Sequence, residues 1–158
     1  MRKVALLFAV ILGLTFTLSA QEISKNAVGL RLGDSNGFGA EISYQRAFKE
    51  HNRFEVNFGW RDGNDYDGVK LVGLYQWVWI LDGDFNWYVG AGGGFGSYNF
   101  DNEIIDNSAF GLIAGNIGIE YIFDIPLLLS LDFRPEIVFG NYTDDLVFDI
   151  GLGIRYLF

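Results

Sequence analysis

Large apolar residues alternate with other residues along most of the chain after residue 20. The pattern is clearest in residues 146–158, where every second position from Phe148 to Phe158 is large and apolar. The intervening positions include Asp149, two glycines and Arg155. A period of two predicts one β-strand whose two faces differ in chemistry.

Seven further stretches alternate in the same way, so the sequence predicts eight strands. The predicted strands are residues 27–33, 38–47, 53–61, 69–79, 85–97, 109–123, 127–139 and 146–158. The alternation is weakest in 69–79, because Val72, Leu74 and Val78 share the face that carries Lys70. Four glycines fall on the polar face of 85–97, and we expect them to make room for bulky partners such as Tyr88, Gln76 or an arginine.

The connections between these strands differ in length and composition. Residues 34–37, 62–68, 98–108 and 140–145 are rich in Asp, Asn and Gly, whereas 48–52, 80–84 and 124–126 are shorter and more mixed. Short turns at one end and longer loops at the other predict an up-and-down antiparallel barrel. An even number of strands places the first and last strands' free ends on the side of the short turns.

The first twenty residues predict a cleaved signal peptide. A basic start at Arg2 and Lys3 precedes an uncharged apolar run over residues 4–14, and Leu18-Ser19-Ala20 offers a cleavage site. The run is too short for a spanning helix, which needs about 20 apolar residues. We therefore expect two segments, a signal peptide in residues 1–20 and a barrel domain in residues 21–158. The barrel domain has nine bases and twenty acids, a net charge of −11.

The alternation alone does not say which face points outward. The polar face carries six bases and six acids, and this balance suits a closed interior, where an unpaired charge is costly. Aromatic residues collect near the strand ends, as they do in the two interfacial girdles of membrane barrels. We therefore expect the apolar face to meet lipid. The alternative is a secreted, soluble, lipocalin-like barrel, with its apolar residues inside.

Three segments carry a family resemblance. WYVGAGGGFG (residues 87–96), SLDFRPEI (130–137) and the terminal YLF (156–158) resemble small Gram-negative outer-membrane β-barrel proteins of the OmpA/OmpX type. The resemblance implies an all-β, eight-stranded antiparallel up-and-down transmembrane barrel located in the outer membrane. It also implies that Tyr156 and Phe158 form the signal that the barrel-assembly machinery reads.

The inward charges predict a network that plugs the lumen, since eight strands leave an interior just wide enough for side chains. We expect Arg134 to be its hub, because Asp132 and Glu136 flank it on the same face. We also expect Arg31 and Arg155 to approach Asp149 where the first and last strands meet. The predicted network comprises Arg31, Glu41, Arg53, Glu55, Lys70, Glu120, Asp132, Arg134, Glu136, Asp149 and Arg155.

The predicted loops carry acids and no bases. The predicted acidic extracellular rim comprises Asp62, Asp65, Asp67, Asp101, Glu103, Asp106, Asp144 and Asp145. Residues 62–69 resemble a calcium loop, but Tyr66 occupies a ligand position and Gly73 stands where the closing Glu belongs. Two interpretations remain, soluble loops that repel one another and a weak site for divalent cations beside anionic lipopolysaccharide.

Other functions find little support in the sequence. The single histidine, His51, falls in a predicted short turn, so no base–nucleophile pair is expected and neither is an enzyme. The chain has no cysteine, and its acidity opposes nucleic-acid binding. We expect no cofactor and a monomer, with outer-membrane lipids, lipopolysaccharide and the barrel-assembly machinery as partners. A structural or surface-interaction role is the leading prediction, and a narrow channel for small or apolar solutes is the alternative.

Overall fold

Eight antiparallel strands make up the fold. The computed structural model describes residues 25–35, 38–62, 66–100, 108–140 and 145–158, so the predicted signal peptide lies outside the described residues. The strands are β1 (Asn26–Ser35), β2 (Phe38–Lys49), β3 (Asn52–Arg61), β4 (Tyr66–Asp82), β5 (Phe85–Phe100), β6 (Ser108–Ile122), β7 (Leu127–Gly140) and β8 (Asp145–Leu157). No helix in these ranges is long and apolar enough to cross a bilayer.

The strands close into a barrel in sequence order. Each strand pairs with its neighbours in the chain, and β1 pairs with β8 from Ala27 opposite Leu157 to Leu32 opposite Leu152. The closure leaves no sheet edge with unpaired backbone groups. The predicted eight-stranded, antiparallel, up-and-down barrel is therefore confirmed.

The connections divide the barrel into two ends. We call the end with residues 36–37, 62–65, 101–107 and 141–144 the loop end. The opposite, turn end holds residues 50–51, 83–84 and 123–126, together with the start of β1 and the end of β8. The β4–β5 turn contains Gly83 with φ of 53°, a conformation that glycine adopts without steric cost.

Several strand boundaries differ from the prediction. The strands β4 and β5 each extend beyond the alternating stretch at the loop end, and β1 continues to Ser35. As a result Asp67 lies in β4 and Asp145 begins β8, although both were predicted in loops. The connection between β1 and β2 is also shorter than predicted. Backbone pairing continues past the point where side-chain alternation stops, because ladder hydrogen bonds do not depend on side-chain polarity.

The two faces of the barrel follow the sequence alternation. Ile117 and Leu131 are each 48% exposed on the outside, and Ile150 is 68% exposed. The alternate positions point inward and are buried, as with Asn116 and Asp132 beside those residues. The apolar face therefore points outward, as predicted.

Candidate functional site

The interior of the barrel is the candidate site, because the charged side chains of the strands meet there. All eleven residues of the predicted network are buried, each at 3% exposure or less. They come from seven of the eight strands, and β5 contributes none of the eleven. Inward positions of β5 instead carry Asn86, Tyr88 and glycines.

Arg31 lies at the centre of the larger cluster of ion pairs. Its Nη2 is 2.6 Å from Oδ1 of Asp132, and its Nη1 is 2.6 Å from Oδ2 of Asp149. A longer contact of 3.5 Å joins Nη1 to Oε2 of Glu41. One guanidinium thus bridges β7, β8 and β2 from its own position on β1, which only a side chain with several fixed donors can do.

Arg134 is a second centre in the same cluster. It donates two hydrogen bonds to the Glu41 carboxylate, at 2.9 and 2.7 Å, and its Nε lies 2.8 Å from Oε1 of Glu136. Lys70 Nζ approaches Glu136 Oε2 at 3.1 Å and Glu41 Oε1 at 3.7 Å. The bidentate pairing of Arg134 with Glu41 is among the stronger types of charge-assisted hydrogen bond in proteins.

The geometry corrects two predicted contacts. Asp132 flanks Arg134 in sequence but binds Arg31, so the hub is shared between the two arginines. Arg31 does approach Asp149, whereas the ion pair of Arg155 is with Glu55, at 3.3 Å. The expected contact of Arg134 with Glu136 on the same strand face is present at 2.8 Å, whereas Asp132 lies within reach of the Arg31 guanidinium, which extends across from β1.

Arg53 pairs with Glu120 in the second cluster, at 2.7 Å between Nη2 and Oε2. The Arg53 guanidinium also lies over the Tyr88 ring, 4.7 Å from its centroid, at cation–π distance.

Arg155 anchors the other half of this cluster. It donates to the hydroxyl oxygens of Ser43 and Ser130, at 2.9 and 2.7 Å. Its ion-pair partner, Glu55, accepts a hydrogen bond from Gln45 Nε2 at 2.6 Å.

A chain of amides connects the two clusters. Gln76 Nε2 donates to Asn116 Oδ1 at 2.8 Å, and Asn116 Nδ2 donates to Asp132 Oδ1 at 3.3 Å. Gln76 Oε1 accepts from Arg53 Nε at 2.6 Å. The ion pairs and amides therefore form one connected polar network through the barrel.

Glycines allow the large polar side chains to lie flat against the wall. A Cβ on Gly151 would collide with the Arg31 guanidinium, and one on Gly118 would lie 2.6 Å from the Tyr88 hydroxyl. The glycines of β5 serve other neighbours: Gly90 faces Gln76, and Gly96 faces the Phe110 ring. Gln76 is thus one of the bulky partners expected for the β5 glycines, whereas Tyr88 rests on Gly118 of β6.

Two apolar clusters inside the barrel were missed by the sequence analysis. The first lies toward the loop end and comprises Val72, Leu74, Phe110, Leu112, Ala114 and Val138, with Tyr98 and Val147 packed against it. The second lies at the turn end and comprises Ala27, Leu128 and Leu157, with Ile122 beside it. The sequence signal was present in Val72 and Leu74, which share a strand face with Lys70.

The acidic rim is only partly described. Asp62, Asp67 and Asp145 are exposed at the loop end. Asp65, Asp101, Glu103, Asp106 and Asp144 lie outside the described residues. Among the side chains that the structure does describe, no set of three or more His, Asp or Glu is arranged to hold a metal ion.

Tyr156 and Phe158 lie on the outer surface at the turn end. Their rings stack with centroids 6.3 Å apart. The backbone N–H of Phe158 donates to the carbonyl of Asn26 at 3.0 Å, and the reverse bond measures 3.1 Å. These bonds complete the seam between β8 and β1. His51 lies in the β2–β3 turn at the same end.

Aromatic residues surround the outer wall at the turn end. Phe54 contacts Phe48 and Tyr75, with ring centroids 5.1 and 5.3 Å apart, and Tyr75 packs against Trp77 at 4.8 Å. Further around the barrel Trp79 stacks on Trp87, and Phe85 packs against Tyr121, each at 4.7 Å. Tyr and Trp favour the interface between membrane and water, because one part of the ring is apolar and another is polar.

Comparison with solved structures identifies the architecture. The N-terminal β-barrel domain of Pseudomonas aeruginosa OprF matches with a TM-score of 0.70 at 13% identity, over 87% of this chain and 100% of that one. The chain has the fold of the eight-stranded outer-membrane barrels. Neisserial surface protein A matches with a TM-score of 0.63 at 14% identity, over 84% of this chain and 94% of that one.

A third similar structure is the attachment invasion locus protein Ail of Yersinia pestis. Its TM-score is 0.58 at 16% identity, over 85% of this chain and 97% of that one. No family model and no curated protein matches the chain in sequence. At these identities the likeness establishes the fold, and the role of the chain is argued below from its own residues.

Proposed function

We propose that the chain is a monomeric outer-membrane barrel with a structural or surface-interaction role, whose interior is closed to solutes. The contrast between the two faces of the barrel carries this proposal. The outer wall presents large apolar side chains, and the eleven network charges point inward and are buried. A soluble ligand-binding barrel requires the opposite arrangement.

The outer wall supports residence in a bilayer. Ile113, Ile137, Phe148 and Ile150 are between 47% and 68% exposed, and they belong to neighbouring strands. Soluble monomers rarely expose a continuous apolar surface larger than a few hundred Å². Membrane barrels carry such a surface as a band about 25 Å tall, bordered by aromatic residues.

The interior supports a closed lumen. Eight strands leave space that side chains can fill, and the polar network joins all eight, since Asn86 of β5 donates to Glu120 at 3.2 Å. The two apolar clusters add a second barrier, because an ion that passed them would lose hydration without gaining a polar partner. These features favour a role for the surface and the scaffold over a role in transport.

Export and assembly follow from the same proposal. The signal peptide directs the chain out of the cytoplasm, and the turn end faces the periplasm. The outward-facing Tyr156 and Phe158 are available to the assembly machinery, and the acidic loop end faces the lipopolysaccharide surface. Divalent cations are the partners that would join these loop acids to anionic lipopolysaccharide.

A first experiment tests membrane residence. Purified protein refolded into phospholipid vesicles should migrate differently on gels before and after heating, and its strands should resist protease. A protein that stays monodisperse in water without detergent would contradict the proposal and favour the soluble barrel.

Conductance in planar bilayers tests closure. Wild-type protein should show no steady conductance. Arg134→Ala removes the guanidinium that binds Glu41 and Glu136, so this variant should show brief, irregular openings. Steady wild-type channels of defined size would overturn closure and support the alternative, a narrow channel for small solutes.

A further inference from the structure

The exposed bases of the described chain are gathered on one part of its surface. Nine basic residues follow residue 20, and five of them are buried inside the barrel. The side chain of Arg61 is not described. The other three, Lys25, Arg46 and Lys49, are exposed and lie at the turn end of β1 and β2.

Backbone pairing brings these three bases close together. Arg46 is opposite Asn26 in the β1–β2 ladder, and the next N–H along β2, that of Ala47, donates to the carbonyl of Lys25 at 2.9 Å. Lys49 follows two residues later. Residues opposite or diagonal across a ladder lie within about 8 Å of one another at their Cα atoms. The three exposed bases therefore lie near one another at the turn-end rim of β1 and β2, and we call them the basic patch.

No ion pair compensates the basic patch within the described ranges. Among the residues that the structure describes, none of its three members forms an ion pair with a carboxylate. The nearby acid in the β2–β3 turn is Glu50. The other acids at the turn end are Asp82, which ends β4, Asp84 in the β4–β5 turn and Asp124 in the β6–β7 turn, so none of them belongs to β1 or β2.

The patch borders the aromatic residues of the outer wall. Arg46 is on the outward face of β2 and is opposite Phe54 of β3. Phe54 is 52% exposed and packs against Phe48 and Tyr75. Aromatic rings of this kind lie at the level of the lipid headgroups. The three bases therefore lie at the depth of the headgroup phosphates.

We propose that the basic patch of Lys25, Arg46 and Lys49 binds the headgroup of an anionic phospholipid in the periplasmic leaflet. This inference rests on the proposed membrane location and orientation. The Arg46 guanidinium provides paired donors for a phosphate, and the two lysines add positive charge. The acyl chains lie along Phe48 and Phe54. Because the whole chain is acidic, general attraction to anionic lipid is absent and the patch must supply it.

Native mass spectrometry of the folded barrel in neutral detergent tests the inference. The probes are short-chain phosphatidylglycerol and phosphatidylcholine with identical acyl chains. Wild-type protein should retain phosphatidylglycerol preferentially. Each base near a membrane surface contributes about fivefold in affinity, so the triple variant Lys25→Gln/Arg46→Gln/Lys49→Gln should bind about 100-fold more weakly.

The other arc of the turn end provides a matched control. Asp82→Asn/Asp84→Asn/Asp124→Asn changes the same number of charges at the β4–β5 and β6–β7 connections. It should leave phosphatidylglycerol binding within about twofold of wild type, since salt screens exposed charges that do not touch the patch. Equal retention of the two lipids by wild type, or equal losses in both triple variants, would overturn the inference. Competition by inorganic phosphate at equal concentration would indicate an anion site without lipid specificity and would also overturn it.

Two further measurements keep the result interpretable. If the triple variant does not fold, the inference is tested instead by the loss of phosphatidylglycerol binding in Arg46→Gln alone and by the salt dependence of wild-type binding. Added salt should release phosphatidylglycerol and leave phosphatidylcholine unchanged, and an equal response would contradict the inference. Vesicle insertion of wild-type protein is measured separately. Insertion without lipid preference rejects only this inference, whereas failed insertion rejects the proposed function.

Discussion

Arg31 and Asp132 are 101 positions apart in the chain, and Arg31 Nη2 lies 2.6 Å from Asp132 Oδ1 inside the barrel. The same guanidinium binds Asp149 at 2.6 Å. Two carboxylates on neighbouring strands β7 and β8 thus share one cation from β1. Both carboxylate side chains are at most 1% exposed, so water could not solvate them if the Arg31 guanidinium were removed.

Arg31→Ala should therefore destabilise the barrel strongly. Removal of one partner from a buried ion pair costs about 3–5 kcal/mol, since the remaining charge is left without compensation. Urea-induced unfolding in zwitterionic vesicles, followed by tryptophan fluorescence, measures the loss. Arg46→Ala removes an exposed base and should change stability by no more than about 0.5 kcal/mol.

A second variant separates charge from packing. Arg31→Ala/Asp132→Asn should recover part of the loss, because the amide removes one unpaired charge. If the double variant is less stable by the sum of the two single effects, the residues do not interact as the structure shows.

Gly151→Ala tests how closely Arg31 packs against β8. The new Cβ would lie 2.6 Å from Arg31 Nε and would displace the guanidinium from its carboxylates. Forcing an extra methyl group into a packed interior typically costs about 1–3 kcal/mol. Gly39→Ala is the control, since the nearest atom to its Cβ is 3.8 Å away. Equal stability of the two variants would argue against the observed position of Arg31.

Ile117→Arg tests the lipid face and its depth. Ile117 lies in the middle of β6, and an arginine facing lipid at the bilayer midplane costs about 2–4 kcal/mol. Leu81→Arg is a control with nearly equal exposure, 47% against 48%, close to the turn end. It should cost about 0–1 kcal/mol, as expected near the interface. Equal costs in vesicles would show that depth in the membrane does not determine the effect.

Phe158→Ala tests the proposed assembly signal. The substitution keeps the backbone hydrogen bonds to Asn26 and removes only the exposed ring. The yield of folded barrel in cells should fall, while the stability of refolded protein in detergent changes little. Phe148→Ala is the control, because it removes a ring of similar exposure, 63% against 60%, from β8, the strand that Phe158 directly follows. Similar yields from both variants would remove the special role of Phe158.

The strands and their faces could be predicted from the sequence, because the side-chain period of two is a local property. Ile117 and Asn116 were assigned to opposite faces from adjacent positions, and the structure places them there. The paired β1 and β8 followed from the closure of an even-stranded barrel. Each of these features depends only on short sequence intervals or on topology.

The partners inside the barrel could not be predicted in the same way. Asp132 was expected beside Arg134, and it binds Arg31 instead. The choice depends on strand register, on barrel tilt and on the space that Gly151 leaves, none of which a single strand specifies. The interior position of Phe110 was also missed. The space for its ring exists because Gly96 on the neighbouring strand has no side chain, and that pairing depends on strand register.

The closing seam between β1 and β8 has a consequence for the order of folding. Arg31 reaches Asp132 and Asp149 only after the first and last strands have met. An open sheet inserted in lipid would lack the Arg31 guanidinium beside Asp132, and would leave Asp149 only its 3.5 Å contact with Arg134 of β7, at a cost of several kcal/mol for an uncompensated charge. Partly inserted intermediates are therefore unfavourable, and the chain should enter the bilayer and close in one cooperative step.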